Sequence, residues 1–474
     1  MTRPQVTALI IASALFMENL DSTIIATALP TIAADIGTDP IRLKLALTSY
    51  LLSLATFIPI SGWAADRFGA RLVFRAAIGV FIIGSILCSM ADSLPQFVVA
   101  RIVQGAGAAM MTPVGRLVLL RSTPKKELLS AMAWLTVPAL IGPLLGPPVG
   151  GFISTYFDWR WIFWINVPVG IVGIVLVSLF IDGVKSEVQR PLDAVGFVLS
   201  GVGLSGIVFG LSVLGQNMLP LPVTLAMVGV GIISMALYLR HAKRTAHPLL
   251  DLGLLRLPTF FTSTVGGFFF RIGIGSIPFL LPLTLQLGLG MNAFEAGTYV
   301  FFSAIGALLM KMTAQPIVHR FGFRTTLIWN GLISSAAILA MAFFTYNPPA
   351  ILMASVLLAG GFFRSLQFTC LNSLAYADVE QSRMSLATSL YSVSQQVSLA
   401  SGVAVAAAVV EVQRAMRPDH VLLLSDFMTA FLTVACFSLV AILFYLRLPA
   451  DAGAEMANRD QPSERPARNP VAST

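Results

Sequence analysis

Residues 62–71 read GWAADRFGAR and lie where the second apolar segment of the chain ends. The stretch places an acid, two arginines and two glycines at the point where a hydrophobic helix leaves a membrane and the chain turns back. A weaker copy, QPIVHRFGFR, occupies residues 315–324, which begin 253 positions later. One short motif used twice among apolar segments predicts a chain built from two related halves.

The composition excludes a water-soluble globular fold. Of the 474 residues, 56% are hydrophobic and 11% are charged, and the mean hydropathy is +0.84. Soluble domains carry about 25% charged residues. Runs of about 20 apolar residues recur along the whole chain, and each is long enough to cross a bilayer as a helix. We therefore predict an all-α polytopic membrane protein.

Lysine and arginine orient these runs. Most of the 30 Lys and Arg residues fall in one alternating set of loops and in the two termini. Positive charge marks the cytoplasmic side, so both termini are predicted to be cytoplasmic, in an inner or plasma membrane. This explains the basic surplus without nucleic-acid binding. The fourteen predicted spans are residues 7–29, 46–66, 74–92, 96–118, 131–153, 161–181, 192–214, 221–240, 259–288, 296–317, 326–346, 350–374, 385–410 and 424–446.

Several other classes of site are not indicated. The first apolar run continues past any small-residue cleavage site, which predicts a retained span and not a leader peptide. Cys88, Cys370 and Cys436 all lie within apolar runs, which argues against disulfides and a metal site. No hydrolase, metalloprotease or P-loop motif is present, and the loops are too short for a catalytic domain, so we do not predict an enzyme.

Charged residues inside the spans are the strongest functional signal. Glu18 and Asp21 are three residues apart and share one face of the first helix. Arg101 lies within the fourth span. Ionised groups at this depth are costly and mark a proton, ion or substrate path, and we favour that role over purely structural acids. Arg116, near the end of the same span, either faces the interior or extends to the membrane surface.

Two glycine-containing stretches predict close contacts between helices. In the 62–71 motif, Asp66 can accept hydrogen bonds from a helix N-terminus or a loop arginine, which would form a breakable latch. In the fifth span, PALIGPLLGPPVGGF repeats glycine at every fourth position and interrupts the helix with prolines. That helix is expected to be kinked and to pack tightly on a neighbour.

These motifs together resemble the major facilitator superfamily. They are LDSTIIATALP from Leu20, GWAADRFGAR, RIVQGAGA around Arg101, GPLLGPPVGG from Gly142 and WRWIFWINVPVG from Trp159. The first and last are similar to the fourteen-span drug:proton antiporters of the EmrB/QacA type. The resemblance implies a major facilitator fold with alternating access between two six-helix halves, and export driven by proton influx.

The resemblance also implies roles for individual residues. Asp21, Glu18 and Arg101 would couple protons. A cytoplasmic latch would comprise Gly62, Asp66, Arg67, Gly69 and Arg71, with His319, Arg320 and Arg324 in the second copy. An antiporter hinge would comprise Gly142, Gly146, Pro147, Gly150 and Gly151. No cofactor is implied beyond the proton gradient, and the partners would be a small-molecule cargo and the lipid bilayer.

The spacing of the two motifs predicts the domains. Six spans and their loops need about 180–190 residues. The two motifs begin 253 positions apart, and the difference is enough for two extra spans inserted between the halves. We expect an N-terminal half at 1–183, inserted spans with linkers at 184–257, a C-terminal half at 258–447 and a disordered cytoplasmic tail at 448–474. The inserted pair is interpreted as peripheral packing.

The second half suggests where cargo binds. His319 and Gln315 replace the acid and glycine of the first motif, which predicts a weaker or pH-sensitive second latch. Polar groups at membrane depth suggest a substrate cavity, namely Arg271, Arg364, Gln367 and Gln395. The leading hypothesis is a proton-coupled exporter of amphiphilic compounds or drugs. The alternatives are export of organic anions or metal chelates, favoured by the arginines, and an uncoupled facilitator or importer.

Overall fold

The computed structural model describes residues 3–38, 40–181, 191–213, 219–291, 293–344, 349–417 and 423–457. Every regular element in these ranges is helical. The helices are α1 (Arg3–Asp35), α2 (Pro40–Phe57), α3 (Ser61–Phe68), α4 (Ala70–Ser89), α5 (Leu94–Ser122), α6 (Lys125–Tyr156), α7 (Trp161–Trp164), α8 (Asn166–Phe180), α9 (Ala194–Val213), α10 (Leu221–Ala242), α11 (Pro258–Phe261), α12 (Gly267–Leu283), α13 (Ala293–Ala342), α14 (Ala350–Leu374), α15 (Met384–Ala415) and α16 (Leu424–Tyr445).

Eleven helical segments in the described part of the chain are long and apolar enough to cross a membrane. This agrees with the predicted fold class but does not confirm a count of fourteen. The predicted span 296–317 and residues 326–342 of the predicted span 326–346 fall in the single segment α13. The predicted spans 46–66 and 131–153 are helical in α2–α3 and α6 without being among the eleven. A one-turn 3-10 segment, Ile58–Ile60, separates α2 from α3.

Both copies of the repeated motif make the same backbone turn. Gly69 has a φ of +91° between α3 and α4, and Gly322 has a φ of +76° inside α13. Glycine reaches this left-handed region without the steric cost that a side chain incurs. Both residues follow an Arg-Phe pair, so the sequence repeat is a structural repeat, and α13 consists of two helices that meet at Gly322.

Helix packing divides the bundle into two groups. The first group is α1–α8, where the closest packing joins α1 to α6 and α4 to α5. The second group is α11–α16, where α13 packs on α14 and α12 packs on α15. The two groups meet through α3 and α5 against α15, and through α6 against α13 and α14. Any relative motion of the groups must therefore change these contacts.

The central pair α9 and α10 lies against the seam between the two groups. Helix α9 packs on α2 of the first group and on α15 of the second. Thr56 of α2 and Ser205 of α9 share a hydrogen bond of 2.6 Å between their hydroxyls. Helix α10 packs on α9 and exposes apolar side chains such as Val230 and Ile233. The pair is thus a side element that touches both groups.

The beginning of the predicted disordered tail has a defined structure. Residues 448–457 form turns, and Leu448, Met456 and Ala457 are buried. The Ala457 carbonyl accepts from Nδ1 of His319 at 2.9 Å when that nitrogen carries the proton. Residues 448–457 therefore pack on the helices through buried apolar side chains. Residues 458–474 lie outside the described ranges.

Glycine determines how closely α13 and α14 approach. A Cβ on Gly361 would overlap the carbonyl oxygen of Ser303 on the facing helix, whereas a Cβ on Gly79 of α4 would meet nothing within 4 Å. We expect Gly361→Ala to destabilise the protein by about 1–3 kcal/mol, because an inserted methyl group must displace backbone. Gly79→Ala should leave stability unchanged or slightly raised. Thermal unfolding in detergent micelles measures both, and equal melting temperatures would contradict this packing.

Candidate functional site

A buried ion pair joins α1 to α5. Nη1 of Arg101 lies 2.6 Å from Oδ2 of Asp21, and both side chains are completely shielded from solvent. The guanidinium carbon of Arg101 also lies 4.3 Å from the centre of the Tyr50 ring. Two of the residues that the sequence selected for proton coupling are therefore direct partners. Loss of either charge would leave the other buried without a counter-charge, at a cost of about 3–5 kcal/mol.

Three uncharged residues complete this cluster. Gln104 and Asn166 donate to Oδ1 of Asp21 at 2.9 and 3.0 Å, and each also donates to the Ser85 hydroxyl at 2.8 Å. The Asp21 carboxylate is thus held by α5 and α8 as well as by its ion pair. Sequence reasoning missed these residues. Polar side chains at membrane depth were the available signal, since Gln104 lies one turn after Arg101 and Asn166 lies within the WINVPVG stretch.

Glu18 occupies a different environment from Asp21. Its Oε2 accepts a hydrogen bond of 3.2 Å from Thr112 of α5, and no ion pair to it is found in the described residues. The two acids share a face of α1, but only Asp21 is bound to Arg101. Helix α1 therefore carries one acid in an ion pair, Asp21, and one acid that accepts a hydrogen bond from a hydroxyl, Glu18.

The predicted latch connects the two helix groups. Oδ1 of Asp66 accepts from Arg121 at 3.0 Å, and Oδ2 accepts from the hydroxyl of Ser385 at the start of α15. Ser61 and Ser389 share a second hydrogen bond of 3.0 Å between α3 and α15. These contacts join the two groups at the end of the bundle where α15 begins.

Glycine makes this crossing of helices close. A Cβ on Gly62 would lie 2.7 Å from both the Ser385 carbonyl oxygen and the Ser389 hydroxyl. Arg71 does not reach the second group, because it donates to the Ser178 carbonyl at the end of α8. Arg67 is exposed in the last turn of α3. Among the predicted latch residues, Asp66 and Gly62 have described contacts at the crossing between the groups.

Comparison with known proteins identifies the family. The sequence model of the Major Facilitator Superfamily matches residues 11–402 and, in a second match, residues 263–472. The chain belongs to the major facilitator superfamily. Curated relatives include MdtD of Yersinia enterocolitica, named a multidrug resistance protein and 36% identical over 96% of each chain. HsrA of Haemophilus influenzae, named a transport protein, is 34% identical over 93% of this chain and 95% of its own.

Solved structures share the major facilitator fold. The human organic anion transporter MFSD10 matches with a TM-score of 0.67 and 14% identity, over 94% of this chain and 100% of its own. The proton:xylose symporter XylE matches with a TM-score of 0.65 and 16% identity, over 96% of this chain and 98% of its own. Membership of this superfamily confirms the predicted membrane transporter and the expectation that the chain is not an enzyme.

The second motif of this major facilitator protein makes different contacts from the first. His319 faces the tail at Ala457, and Arg324 donates to the Leu446 carbonyl at 3.0 Å. Arg320 lies over the ring of the neighbouring Phe321, with 5.6 Å from its guanidinium carbon to the ring centre. The described contacts of this copy therefore bind the chain end and do not bridge the two groups.

Two of the predicted hinge glycines place α6 on α1. A Cβ on Gly142 would come within 3.0 Å of Asn19 and of the Leu20 backbone nitrogen, and one on Gly146 would lie 2.8 Å from the Thr23 Cβ. Gly151 has open space around it. Gly150 and Pro147 lie on the same continuous helix. The predicted tight packing of this helix is present, and its partner is the helix that carries Asp21.

The residues predicted for a substrate cavity are distributed over several contacts. Gln367 is buried and accepts from Asn330 at 2.7 Å, and Arg364 donates to Ser303 at 2.8 Å. Both are hydrogen bonds between helices of the second group. Gln395 instead accepts from Arg116 of the first group at 3.3 Å, and Arg271 is completely buried beside a tyrosine. A binding role for these four residues stays a prediction.

Replacing Asp66 tests the latch. Asp66→Ala removes both the contact with Arg121 and the contact with Ser385, and hydrogen bonds to charged groups contribute about 1.5–3 kcal/mol each. We expect the closed end to open about 10-fold or more often. Distances between spin labels at the exposed positions Phe68 and Gln381 measure the opening. Glu380→Ala, which removes an exposed acid nearby, is the control, and unchanged distances in Asp66→Ala would contradict the latch.

Proposed function

We propose that this chain is a proton-coupled exporter of small amphiphilic compounds that works by alternating access across the inner or plasma membrane. In this proposal Asp21 carries the proton, and Arg101 is its charge partner. The pair belongs to the state in which the Asp66 latch is closed. Protonation of Asp21 from outside neutralises the carboxylate, weakens its attraction for Arg101 and favours release of the latch.

The position of the ion pair on α5 carries this proposal. The same continuous helix holds Arg101 at the buried pair, Arg116 at the seam and Arg121 at the latch. Arg101 and Arg121 are about 30 Å apart along the axis at the rise of an α-helix. A shift of α5 after neutralisation of Asp21 would therefore act directly on Asp66. This arrangement supports mechanical coupling between the proton site and the latch.

A second route supports the same coupling. Helix α1 carries Asp21 and contacts α6 through Gly142 and Gly146. Helix α6 in turn contacts α13 and α14 across the seam. Closely packed helices move as bodies because cores are not continuously deformable. Displacement of α1 would accordingly reach the second group through α6.

We assign the bundle fourteen spans. The turn at Gly322 divides α13 into two spans, and α2–α3 and α6 supply the other two beyond the eleven segments. The halves would then be residues 1–183 and 258–447, with 184–257 inserted and 448–474 as the chain end. Both termini are proposed to be cytoplasmic from the distribution of Lys and Arg. The Asp66 latch then closes the cytoplasmic side, and this conformation faces outward.

Export of amphiphiles is supported by the multidrug resistance name of MdtD, which aligns with 96% of this chain. The proposed driving force is the proton gradient, without a cofactor or metal. Cargo would bind at the seam between the halves, where Gln395 and Arg116 already contact each other. An uncoupled facilitator would use the same fold without proton movement, and the following experiment separates the two.

Replacing Asp21 tests proton coupling. Asp21→Asn retains the shape of the side chain and an acceptor for Arg101, but it cannot ionise. We expect cargo-dependent proton release from liposomes to fall at least 10-fold, with the thermal unfolding profile still cooperative. The measurement uses reconstituted protein, an internal pH dye, and addition of trimethylphenylammonium or benzenesulfonate, whose fixed charges prevent them from carrying protons through the lipid.

Asp158→Asn is the matched control, because Asp158 is an exposed acid outside the buried cluster around Asp21. It should retain wild-type coupling. Undiminished proton release in Asp21→Asn would remove Asp21 from the mechanism. Cargo movement without proton movement in the wild type would replace the exporter proposal with the facilitator.

A further inference from the structure

Two arginines from different helix groups meet at one tyrosine. The guanidinium carbon of Arg271, on α12, lies 4.8 Å from the centre of the Tyr391 ring, and that of Arg116, on α5, lies 5.4 Å from the same centre. Arg271 also donates to the Tyr391 hydroxyl at 2.5 Å, and Arg116 donates to the Tyr376 hydroxyl at 3.3 Å. The rings of Tyr376 and Tyr391 are in edge contact, with centres 5.7 Å apart. We call these four residues the arginine–tyrosine cluster.

The cluster is buried and carries donors that have no acceptor. Arg271 is 0% exposed and Arg116 is 5% exposed. Nε and Nη1 of Arg271, and Nε of Arg116, have no hydrogen-bond partner in the described residues. Within those residues neither guanidinium forms an ion pair, in contrast to Arg101 and Asp21. A buried cation without a counter-charge is strongly destabilising.

The surrounding charges reinforce this imbalance. Lys311 of α13 donates to Thr136 at 2.5 Å and to Thr369 at 3.2 Å, and Arg364 is held by Ser303. These are hydroxyl contacts, which leave the positive charges uncompensated. In the first group, Asp21 is neutralised by Arg101, whereas Glu18 has only the Thr112 hydroxyl among the described residues and is a single acid against these several cations. The seam therefore favours a negative ligand over a positive one.

We propose that the arginine–tyrosine cluster binds the carboxylate of an anionic aromatic cargo. Hydrogen bonds from a guanidinium to a carboxylate are charge-assisted, and Nε and Nη1 of Arg271 and Nε of Arg116 are free to donate to carboxylate oxygens. The tyrosine rings, together with Phe260, whose ring centre lies 6.4 Å from that of Tyr391, offer apolar faces to the body of the ligand. This inference rests on the proposed export function and specifies the charge of its cargo.

The location of the cluster fits a site that alternates between the two sides. Arg116 belongs to the first helix group and the other three residues belong to the second, so separation of the groups would open the site. The cluster lies near the latch end, since Tyr391 follows Ser389 and Ser385 on α15. A carboxylate bound between the groups would supply a counter-charge to Arg271 and Arg116 and would hold the two groups together.

Binding to the full-length protein in lipid nanodiscs tests the site. The probe is benzoate, compared by calorimetry with benzylammonium and benzyl alcohol, which share its ring but not its charge, and with inorganic phosphate. We expect the wild type to bind benzoate at least 10-fold more tightly than either ring analogue. Arg271→Gln and Arg116→Gln should each weaken benzoate binding at least 10-fold, and Arg271→Lys should weaken it less. The exposed Arg447→Gln is the matched control and should bind as the wild type does.

Three results would overturn the proposal: equal binding of benzylammonium, undiminished benzoate binding in both glutamine variants, or arginine-dependent binding of phosphate alone. If Arg271→Gln does not fold, Arg116→Gln and the comparison of the four probes on the wild type still decide the question. Failure here is distinguishable from failure of the exporter proposal. Proton release driven by trimethylphenylammonium would preserve coupled export while excluding an anionic cargo.

Discussion

The ion pair between Asp21 and Arg101 is the constraint on which the arrangement of the first helix group depends. Two full charges removed from water and lipid persist because each is the counter-charge of the other, and Gln104 and Asn166 add hydrogen bonds to the Asp21 carboxylate. The pair therefore fixes α1 against α5 and α8. Its stability depends on a single proton, because neutral Asp21 no longer compensates Arg101. A structure held by such a pair has two electrostatic states.

Helix α5 connects this ion pair to the far end of the bundle. Its far end presents Arg116 to Tyr376 and Gln395, and Arg121 to Asp66. These are contacts at or beside the seam where the two helix groups meet. The glycines of α3 and α6 allow the helices to lie close enough for small displacements to matter, as at Gly62 against Ser385. The same features that make the bundle compact also connect the buried ion pair to the contacts of Asp66.

Much of this could be predicted from the sequence, and the parts that could not have physical reasons. Apolar runs identified the helices, and the rarity of membrane-depth charges singled out Asp21 and Arg101 before their contact was known. Gln104 and Asn166 were missed because neutral amides in a span resemble ordinary ties between helices. The partner of Asp66 in the second group could not be predicted, since Ser385 is 319 positions away and no local pattern connects them. The second motif kept its turn at Gly322, but its histidine contacts the chain end, which no periodicity predicts.

The central claim is that the charge of Asp21 sets the state of the Asp66 latch, and a pH titration of the latch distance tests it most directly. Spin labels at Phe68 and Gln381, on protein in nanodiscs, report whether the latch end is closed. The account predicts that lowering the pH shifts the wild type from the closed toward the open distance. Asp21→Asn should be mainly open at every pH, because its side chain is permanently neutral. The same pH-dependent shift in both proteins would contradict the account.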